Sequence, residues 1–223
     1  MSTGVRTSTL RKGSSPARTQ AARRPGASRR RPRRRLGLLL AALITSALVY
    51  AAVSPFLDKA VQEFTLPLRH EDIIRQQAAD KDLDPALIAG VIYTESRFLD
   101  QTSPAGAKGL MQLLPSTADY IARKSGGTAF EQGDLATPQI NIAYGSFYLR
   151  YLLDVYDGDT RLAIAAYNGG EGSVNRWVGE ARARGEDTIK TADIPYPETR
   201  AYVGRVLAAR RGYRREYARE LGL

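Results

Sequence analysis

The stretch DPALIAGVIYTESRF, residues 84–98, decides the fold and ends in a charge that continues an apolar stripe. Asp84 followed by Pro85 is typical of a helix start, because aspartate caps free backbone N–H groups and proline fits the first turn. Val91 and Glu95 follow one another at a spacing of four on the stripe. The sequence therefore predicts a buried helix that ends near Glu95, with a carboxyl group on its buried side.

A carboxyl group at that position is expected to hold its proton near neutral pH. Burial disfavours the anion, and so does the negative end of the helix dipole, so that both effects raise the pKa. A carboxylic acid that stays protonated serves as a general acid. The alternative is an exposed Glu95, or one paired with Arg97, as is common for a glutamate near a helix end.

Helical patterns separated by turn residues continue through the rest of the chain, and no convincing alternating strand interrupts them. One or two short strands could still hide in the loops. The pattern predicts a mainly α fold, α or α+β, with a single helical globular domain at residues 68–223. The helices are expected at residues 70–84, 85–95, 115–127, 139–158, 160–170, 172–178 and 197–221.

Two segments of different character precede the stalk of this domain. Residues 1–35 hold 12 Lys or Arg and no Asp or Glu, and are interpreted as a disordered cytoplasmic tail. Residues 36–53 are 18 residues without a charge, just long enough to span a bilayer. Residues 54–67 are interpreted as a stalk with one or two turns of helix.

We therefore predict a retained, single-pass transmembrane helix that places the domain on the extracytoplasmic side of the membrane. The alternative is a signal peptide cleaved after Ala51, which would release a secreted protein. Beyond the tail, 21 basic residues face 23 acidic ones. Nucleic acid is therefore an unlikely partner, and anionic lipid is the partner expected for the tail.

The chain contains no cysteine, which excludes disulfides and thiolate metal sites. Its one histidine, His70, begins a helix and is interpreted as a capping or solvated residue. We expect neither a metal site nor a cofactor.

Five motifs occur in an order that closely resembles the soluble lytic transglycosylase family of peptidoglycan-cleaving enzymes. The resemblance covers about residues 70–210 and implies the α+β lysozyme-like superfamily. The chain reads AYNGGEG where AYNAGPG is commoner in the family. The motifs are DPALIAGVIYTESRF, SPAGAKGLMQLLPSTA, NIAYGSFYLRYLL, LAIAAYNGGEGSVNRW and IPYPETRAYVGRVL.

The resemblance implies a role for each residue of the site. Glu95 matches the single catalytic acid/base of the family, and Ser96 its companion serine, although a bond to its own backbone is the alternative. Tyr167 and Asn168 match the Tyr–Asn pair, and Asn168 alternatively ends its helix as a C-cap. The remaining substrate-binding candidates are Gly109, Leu110, Met111, Gln112, Glu198 and Tyr202, with a surface pairing of Glu198 to Arg200 or Arg205 as an alternative.

A hydrolysing glycosidase normally uses two carboxylates. The possible partners of Glu95 are Asp100, Asp134, Glu171 and Glu198, and none has a matching apolar setting in the sequence. A mechanism with one acid explains this better, and the resemblance then implies a peptidoglycan lytic transglycosylase that cleaves the MurNAc-β-1,4-GlcNAc bond and forms 1,6-anhydro-MurNAc. The alternatives are a goose-type lysozyme-like muramidase and a non-catalytic peptidoglycan-binding membrane protein.

Overall fold

The computed structural model describes residues 31–126 and 130–223, without the side chains of 31–37, 55, 58–60 and 62–64. Within those residues the chain forms eight α-helices and two short 3-10 helices, Gln132–Ala136 and Thr191–Asp193. The α-helices are α1 (Arg31–Thr65), α2 (Glu71–Lys81), α3 (Pro85–Ser96), α4 (Pro115–Ser125), α5 (Pro138–Val155), α6 (Thr160–Gly169), α7 (Glu171–Ala183) and α8 (Pro197–Glu216).

The mainly α prediction is confirmed, and two details of it are wrong. The stalk predicted at residues 54–67 is helical up to Thr65, because α1 continues through it without a break. Helix α7 is 13 residues long, which is longer than the predicted 172–178. Extended pairing within the described residues is limited to two isolated bridges, Thr102 with Lys108 and Lys108 with Leu113.

The chain divides into two compact units, Met1–Ala52 and Val53–Leu223. The described part of the first unit is helical, and its large apolar side chains, from Leu38 to Tyr50, are exposed. No helix within the described residues is long and apolar enough to cross a membrane. The side chains of the predicted span are described only from Leu38 onward, and most of the predicted basic tail, residues 1–30, lies outside the described residues.

Helix α3 runs through the centre of the second unit. The Asp84 carboxylate accepts a hydrogen bond from the Ala86 N–H at 3.0 Å, and Pro85 follows in the first turn, as the sequence predicted. Helix α8 crosses α3 closely at Gly90, where a Cβ atom would lie 3.1 Å from the Val206 carbonyl oxygen. Glycine at this position therefore allows the two helices to pack.

Two apolar cores meet in this unit. The main core surrounds α3 and includes Ile92 and Met111, which are fully buried. A smaller core, formed by Leu113, Ala118, Ile121 and Leu135, lies between α4, α5 and the loop before α4. Tyr148 and Tyr167 are only partly buried and pack against both cores. The candidate site lies along this junction.

Candidate active site

Glu95 lies in the last turn of α3, directly after the buried stripe, and its side chain is partly exposed. The helix ends behind it because Arg97 and Phe98 both take a left-handed backbone, with φ of 53° and 62°. The Arg97 N–H bonds to the Tyr93 carbonyl at 3.0 Å and closes the last turn. The carboxyl group thus stands where the chain leaves the core.

Burial raises the pKa of Glu95 to about 7 from an ordinary 4.5. Desolvation is the largest cause, whereas a hydrogen bond from Tyr202 and the charge of Arg205 both lower the pKa. Of the two causes predicted from the sequence, desolvation therefore raises the pKa of Glu95 in the structure. A carboxyl group with this pKa exchanges its proton readily at neutral pH.

Tyr202, on α8, donates its hydroxyl proton to Glu95 Oε1 at 2.6 Å. The tyrosine is 3% exposed, so that its ring is fixed by packing. The Arg205 guanidinium lies 6.0 Å from the centre of the Tyr202 ring, on the same helix. The alternative pairing of Glu95 with Arg97 is not formed within the described residues, because Arg97 lies over the Tyr93 ring at 5.6 Å.

Ser96 is buried and points away from solvent. Its hydroxyl lies 2.7 Å from the Leu110 carbonyl oxygen and 3.2 Å from that of Ile92. Its single proton is best placed for the nearer oxygen. Ser96 therefore ties the end of α3 to the loop before α4, and the Ile92 oxygen of its own helix, which the alternative interpretation expected, is the more distant acceptor.

The loop of Gly109, Leu110, Met111 and Gln112 is held next to the end of α3 by the hydrogen bond from Ser96 to the Leu110 carbonyl. Gly109 has a φ of 76°, and a Cβ atom there would lie 2.1 Å from Asn141 Nδ2, so that only glycine fits. The side chains of Leu110 and Met111 are buried in the main core. These three residues therefore offer the loop backbone, rather than side chains, to a ligand.

Gln112 also stabilises the loop from within. It has a φ of 48°, and its Nε2 amide donates to the carbonyl oxygens of Gln101, at 2.9 Å, and Gly109, at 2.8 Å. Both amide protons are therefore used inside the protein. The acceptor oxygen of Gln112 is the part of this side chain that fits a contact with a sugar.

Asn141, on α5, holds the same loop and was missed by the sequence analysis. Its Oδ1 accepts from the Met111 N–H at 2.8 Å, and its Nδ2 donates to the carbonyls of Lys108 and Leu135, each at 3.0 Å. The residue is 1% exposed. A polar residue on the buried side of an apolar helix was the signal that could have identified it.

Tyr167, in α6, connects the loop to the acid. Its hydroxyl donates to the Met111 carbonyl at 2.9 Å. Burial, and then the negative charge of Glu95, raise the pKa of Tyr167 well above 10, so that the phenol keeps its proton. Hydrogen bonds join Ser96 to Leu110, Tyr167 to Met111 and Tyr202 to Glu95, and the charge of Glu95 acts on Tyr167.

Asn168 and Glu198 lie outside this network. The exposed Asn168 accepts a hydrogen bond from Thr199 at 2.8 Å, and the C-cap of α6 is Gly170, not Asn168. Glu198 is exposed, and within the described residues it forms neither the Arg200 nor the Arg205 ion pair. Asn168 leaves its amide donors available, whereas Glu198 is not joined to the acid.

The described residues contain no group of three or more His, Cys, Asp or Glu arranged to hold a metal ion. His70 occupies the N-cap position of α2 with a φ of 58°, but its side chain makes no capping hydrogen bond.

Comparisons with known proteins identify the family to which the chain is similar. The family model described as Transglycosylase SLT domain matches residues 72–190. The chain is 32% identical over 154 residues to the soluble lytic murein transglycosylase of Escherichia coli K12, which covers 68% of this chain and 24% of that protein. It is also 32% identical over 193 residues to the membrane-bound lytic murein transglycosylase C of Yersinia pestis. This match covers 77% of this chain and 52% of that protein.

Among solved structures, an inactive mutant of the lytic transglycosylase Slt from Pseudomonas aeruginosa superposes with a TM-score of 0.64 at 32% identity. The match covers 70% of this chain and 26% of that one. The chain spans about a quarter of the length of the first curated relatives that it matches.

Proposed function

Because the chain belongs to the Transglycosylase SLT domain family, we propose that it is a peptidoglycan lytic transglycosylase with Glu95 as its sole acid/base. The substrate is the glycan strand, and the bond cleaved is MurNAc-β-1,4-GlcNAc. The observation that carries the proposal is the half-buried Glu95, whose pKa is raised to about 7 and whose Oε1 is held by Tyr202 at 2.6 Å.

The first step uses Glu95 as an acid. The protonated carboxyl group gives its proton to the glycosidic oxygen as the bond to the anomeric carbon breaks. The 2-acetamido group of the substrate stabilises the positive anomeric centre, as in substrate-assisted glycosidases. The leaving GlcNAc thus departs as a neutral alcohol, and Glu95 becomes an anion.

The second step uses the same residue as a base. Ionised Glu95 takes the proton of the C6 hydroxyl, whose oxygen attacks the anomeric carbon and closes the 1,6-anhydro ring. No water is consumed, and the attack is intramolecular, so that orientation supplies much of the rate. Tyr202 and Arg205 suit this stage because both favour the ionised carboxylate.

The substrate-binding roles follow from what each side chain leaves free. Tyr167 and the loop backbone at Gly109–Gln112 line the side of the site next to the acid. Asn168 offers its amide protons to an acetamido oxygen, since its own oxygen is engaged by Thr199. Glu198 has an exposed carboxylate near the start of α8, and we place it at the rim.

The possible second carboxylates support a mechanism with one acid. The Asp134 side chain accepts from the Glu131 N–H at 2.9 Å, and Glu171 accepts from Tyr151 at 3.1 Å. Asp100 and Glu198 are exposed. None of the four forms a hydrogen bond to Glu95 within the described residues.

The test is digestion of purified peptidoglycan by the full chain in detergent, with mass spectrometry of the fragments. Ends lighter by one water than reducing ends support the transglycosylase. Reducing ends would replace it by a muramidase, and binding without fragments by a non-catalytic protein. Glu180→Gln, an exposed carboxylate on α7, is the matched control for Glu95→Gln and should digest like the native chain.

We further propose that residues 36–53 anchor the chain in the membrane and hold the domain, residues 68–223, on the cell-wall side. The described part of this segment is helical, and Leu38, Leu43 and Leu48 are 71%, 69% and 67% exposed. Such apolar surface is stabilised by transfer out of water.

Extraction of membranes with alkaline carbonate tests the anchor. The native chain should stay in the pellet, and Leu43→Arg with Leu48→Arg should release it, whereas Thr45→Ser should not. Release of the native chain by carbonate would contradict the anchor, and a product starting at residue 52 would show a cleaved signal peptide.

A further inference from the structure

Four tyrosines form a continuous row that starts beside the acid and runs across α5. They are Tyr167, Tyr148, Tyr151 and Tyr120, and we call them the tyrosine row. Successive ring centres lie 5.5, 6.2 and 5.8 Å apart. All four side chains are partly exposed, so that the row is a surface rather than a closed core.

Two rings in the middle of the row are nearly parallel. The rings of Tyr148 and Tyr151 lie within 15° of parallel, one helical turn apart on α5. Aromatic faces beside polar hydroxyl tips are the surfaces on which proteins hold amphipathic ligands. A sugar ring has this character, with C–H groups on its faces and hydroxyl groups around its edge.

The outer end of the row carries two opposite charges. Glu171 Oε2 accepts the hydroxyl proton of Tyr151 at 3.1 Å, and its backbone oxygen accepts from Tyr156 at 3.3 Å. Lys124 Nζ lies 5.2 Å from the centre of the Tyr151 ring and 5.8 Å from that of Tyr120. An acceptor and a donor thus flank Tyr151.

Glu171 is also one of the two residues, with Gly169, at which AYNGGEG differs from the commoner AYNAGPG of the family. It is the first residue of α7, directly after Gly170, so that the start of this helix fixes the position of its side chain. The one-acid mechanism gives it no role. Its position at the end of the row supplies one.

We propose that the outer end of the tyrosine row is an additional sugar subsite, in which the Glu171 carboxylate accepts hydrogen bonds from hydroxyl or amide N–H groups of the glycan. This inference rests on the proposed function, because the ligand is the same strand that reaches Glu95. Tyr148 and Tyr151 border the sugar with their ring edges and hydroxyl groups, and Lys124 donates to its oxygens. The subsite favours long strands over short ones.

The geometry favours a sugar over a purely structural cluster for two reasons. Glu171 is partly exposed and bonds through one of its two oxygens to Tyr151, which leaves the other oxygen for a ligand. The spacing of the rings is also comparable to the advance of one sugar residue along a β-1,4 glycan.

The test measures kcat/KM of the full chain on peptide-free glycan strands sorted by length. Glu171→Gln and Tyr151→Phe should each lower the ratio of kcat/KM on long strands over short ones by about fivefold, the value of one hydrogen bond. The loss should lie in KM. Glu180→Gln, on the same helix, should keep the native ratio.

Binding of the same strands to the Glu95→Gln chain, measured by calorimetry, gives a readout that does not depend on catalysis. Long strands should bind more tightly than short ones. Adding Glu171→Gln should lower the ratio of the two affinities by about fivefold. Equal length dependence with and without Glu171 would overturn the subsite while leaving the proposed function intact. A native chain that binds strands but yields no anhydro ends would instead overturn the proposed function.

Discussion

Glu95 and Glu171 each accept a hydrogen bond from a tyrosine hydroxyl, Glu95 from Tyr202 and Glu171 from Tyr151 of the tyrosine row. The Tyr202–Glu95 bond is 2.6 Å long, and the Tyr151–Glu171 bond is 3.1 Å long. Glu95 ends a helix whose residues 86–92 are buried, and desolvation raises its pKa to about 7. Glu171 begins a helix at a partly exposed position. A carboxylate bonded to a tyrosine hydroxyl is thus suited to proton transfer at Glu95, where water is excluded. It is suited to binding a ligand at Glu171, where solvent has access.

The largest expected effect is the loss of activity on removing the Glu95 carboxylate, which takes part in proton transfer, whereas Glu171 does not. Glu95→Gln keeps the shape and the packing but cannot donate and then accept a proton, so that release of anhydro fragments should fall by at least about a thousandfold. Fragment yield by mass spectrometry checks this, with thermal unfolding to show that the fold is kept. Residual release near the native rate would remove Glu95 from the mechanism.

The second effect concerns stability. Because the folded pKa of Glu95 lies above the ordinary 4.5, its contribution is fully present below about pH 4.5 and is lost as the pH rises to about 7. The free energy of unfolding of the native chain should therefore fall by about 1–3 kcal/mol relative to Glu95→Gln across this range. Urea unfolding of both chains at several pH values measures it, and a constant difference would contradict the desolvation.

Loss of the Tyr202 hydroxyl sharpens the role of the first pair. Tyr202→Phe removes a hydrogen bond that favours the anion, so that the pKa of Glu95 should rise and the alkaline limb of activity should move to higher pH. The rate should fall about tenfold, because the carboxyl group is no longer held in place. Tyr213→Phe is the control. It removes a hydroxyl from the same helix, one that donates to the Pro67 carbonyl, and it should leave the alkaline limb of activity at its native pH.

Arg205 should act in the same direction but more weakly, because its charge is exposed and screened by solvent. Arg205→Gln should move the alkaline limb up by a few tenths of a pH unit, and added salt should reduce the difference. Arg211→Gln removes an equal charge from the same helix and serves as the control. A downward shift of the limb would mean that Arg205 does not face Glu95.

The smallest effect is expected from the second pair. Glu171→Gln should leave the alkaline limb where the native chain has it, because Glu171 is absent from the groups that shift the pKa of Glu95. The pH profile on short strands checks this. If Glu171→Gln moved the alkaline limb of activity as far as Tyr202→Phe does, the charge of Glu171 would influence the pKa of Glu95. The two carboxylates would then not act separately.

Local sequence was enough to predict most of the second unit. Asp84 and Pro85 predicted the start of α3, and the spacing of its apolar residues predicted that Glu95 would continue a buried stripe. Gly170 was part of the predicted end of α6. Such signals act within one helical turn, where capping and periodicity determine the structure.

The contacts that shape the site could not be predicted in this way. Tyr202 lies 107 residues from Glu95 in the chain, and their hydrogen bond depends on how α8 crosses α3. The support of Met111 by Asn141 joins residues 30 apart. The continuity of α1 through the stalk was also missed, because the weak apolar pattern there did not show where the helix ends.

The account depends most directly on the protonation of Glu95. Carbon-13 NMR of the side-chain carboxyl groups, with the Glu95→Gln chain to assign the signal, gives its pKa in the full protein. The account predicts a midpoint of about 7, and one still higher in Tyr202→Phe. A midpoint near the ordinary 4.5, unchanged by loss of the Tyr202 hydroxyl, would contradict it.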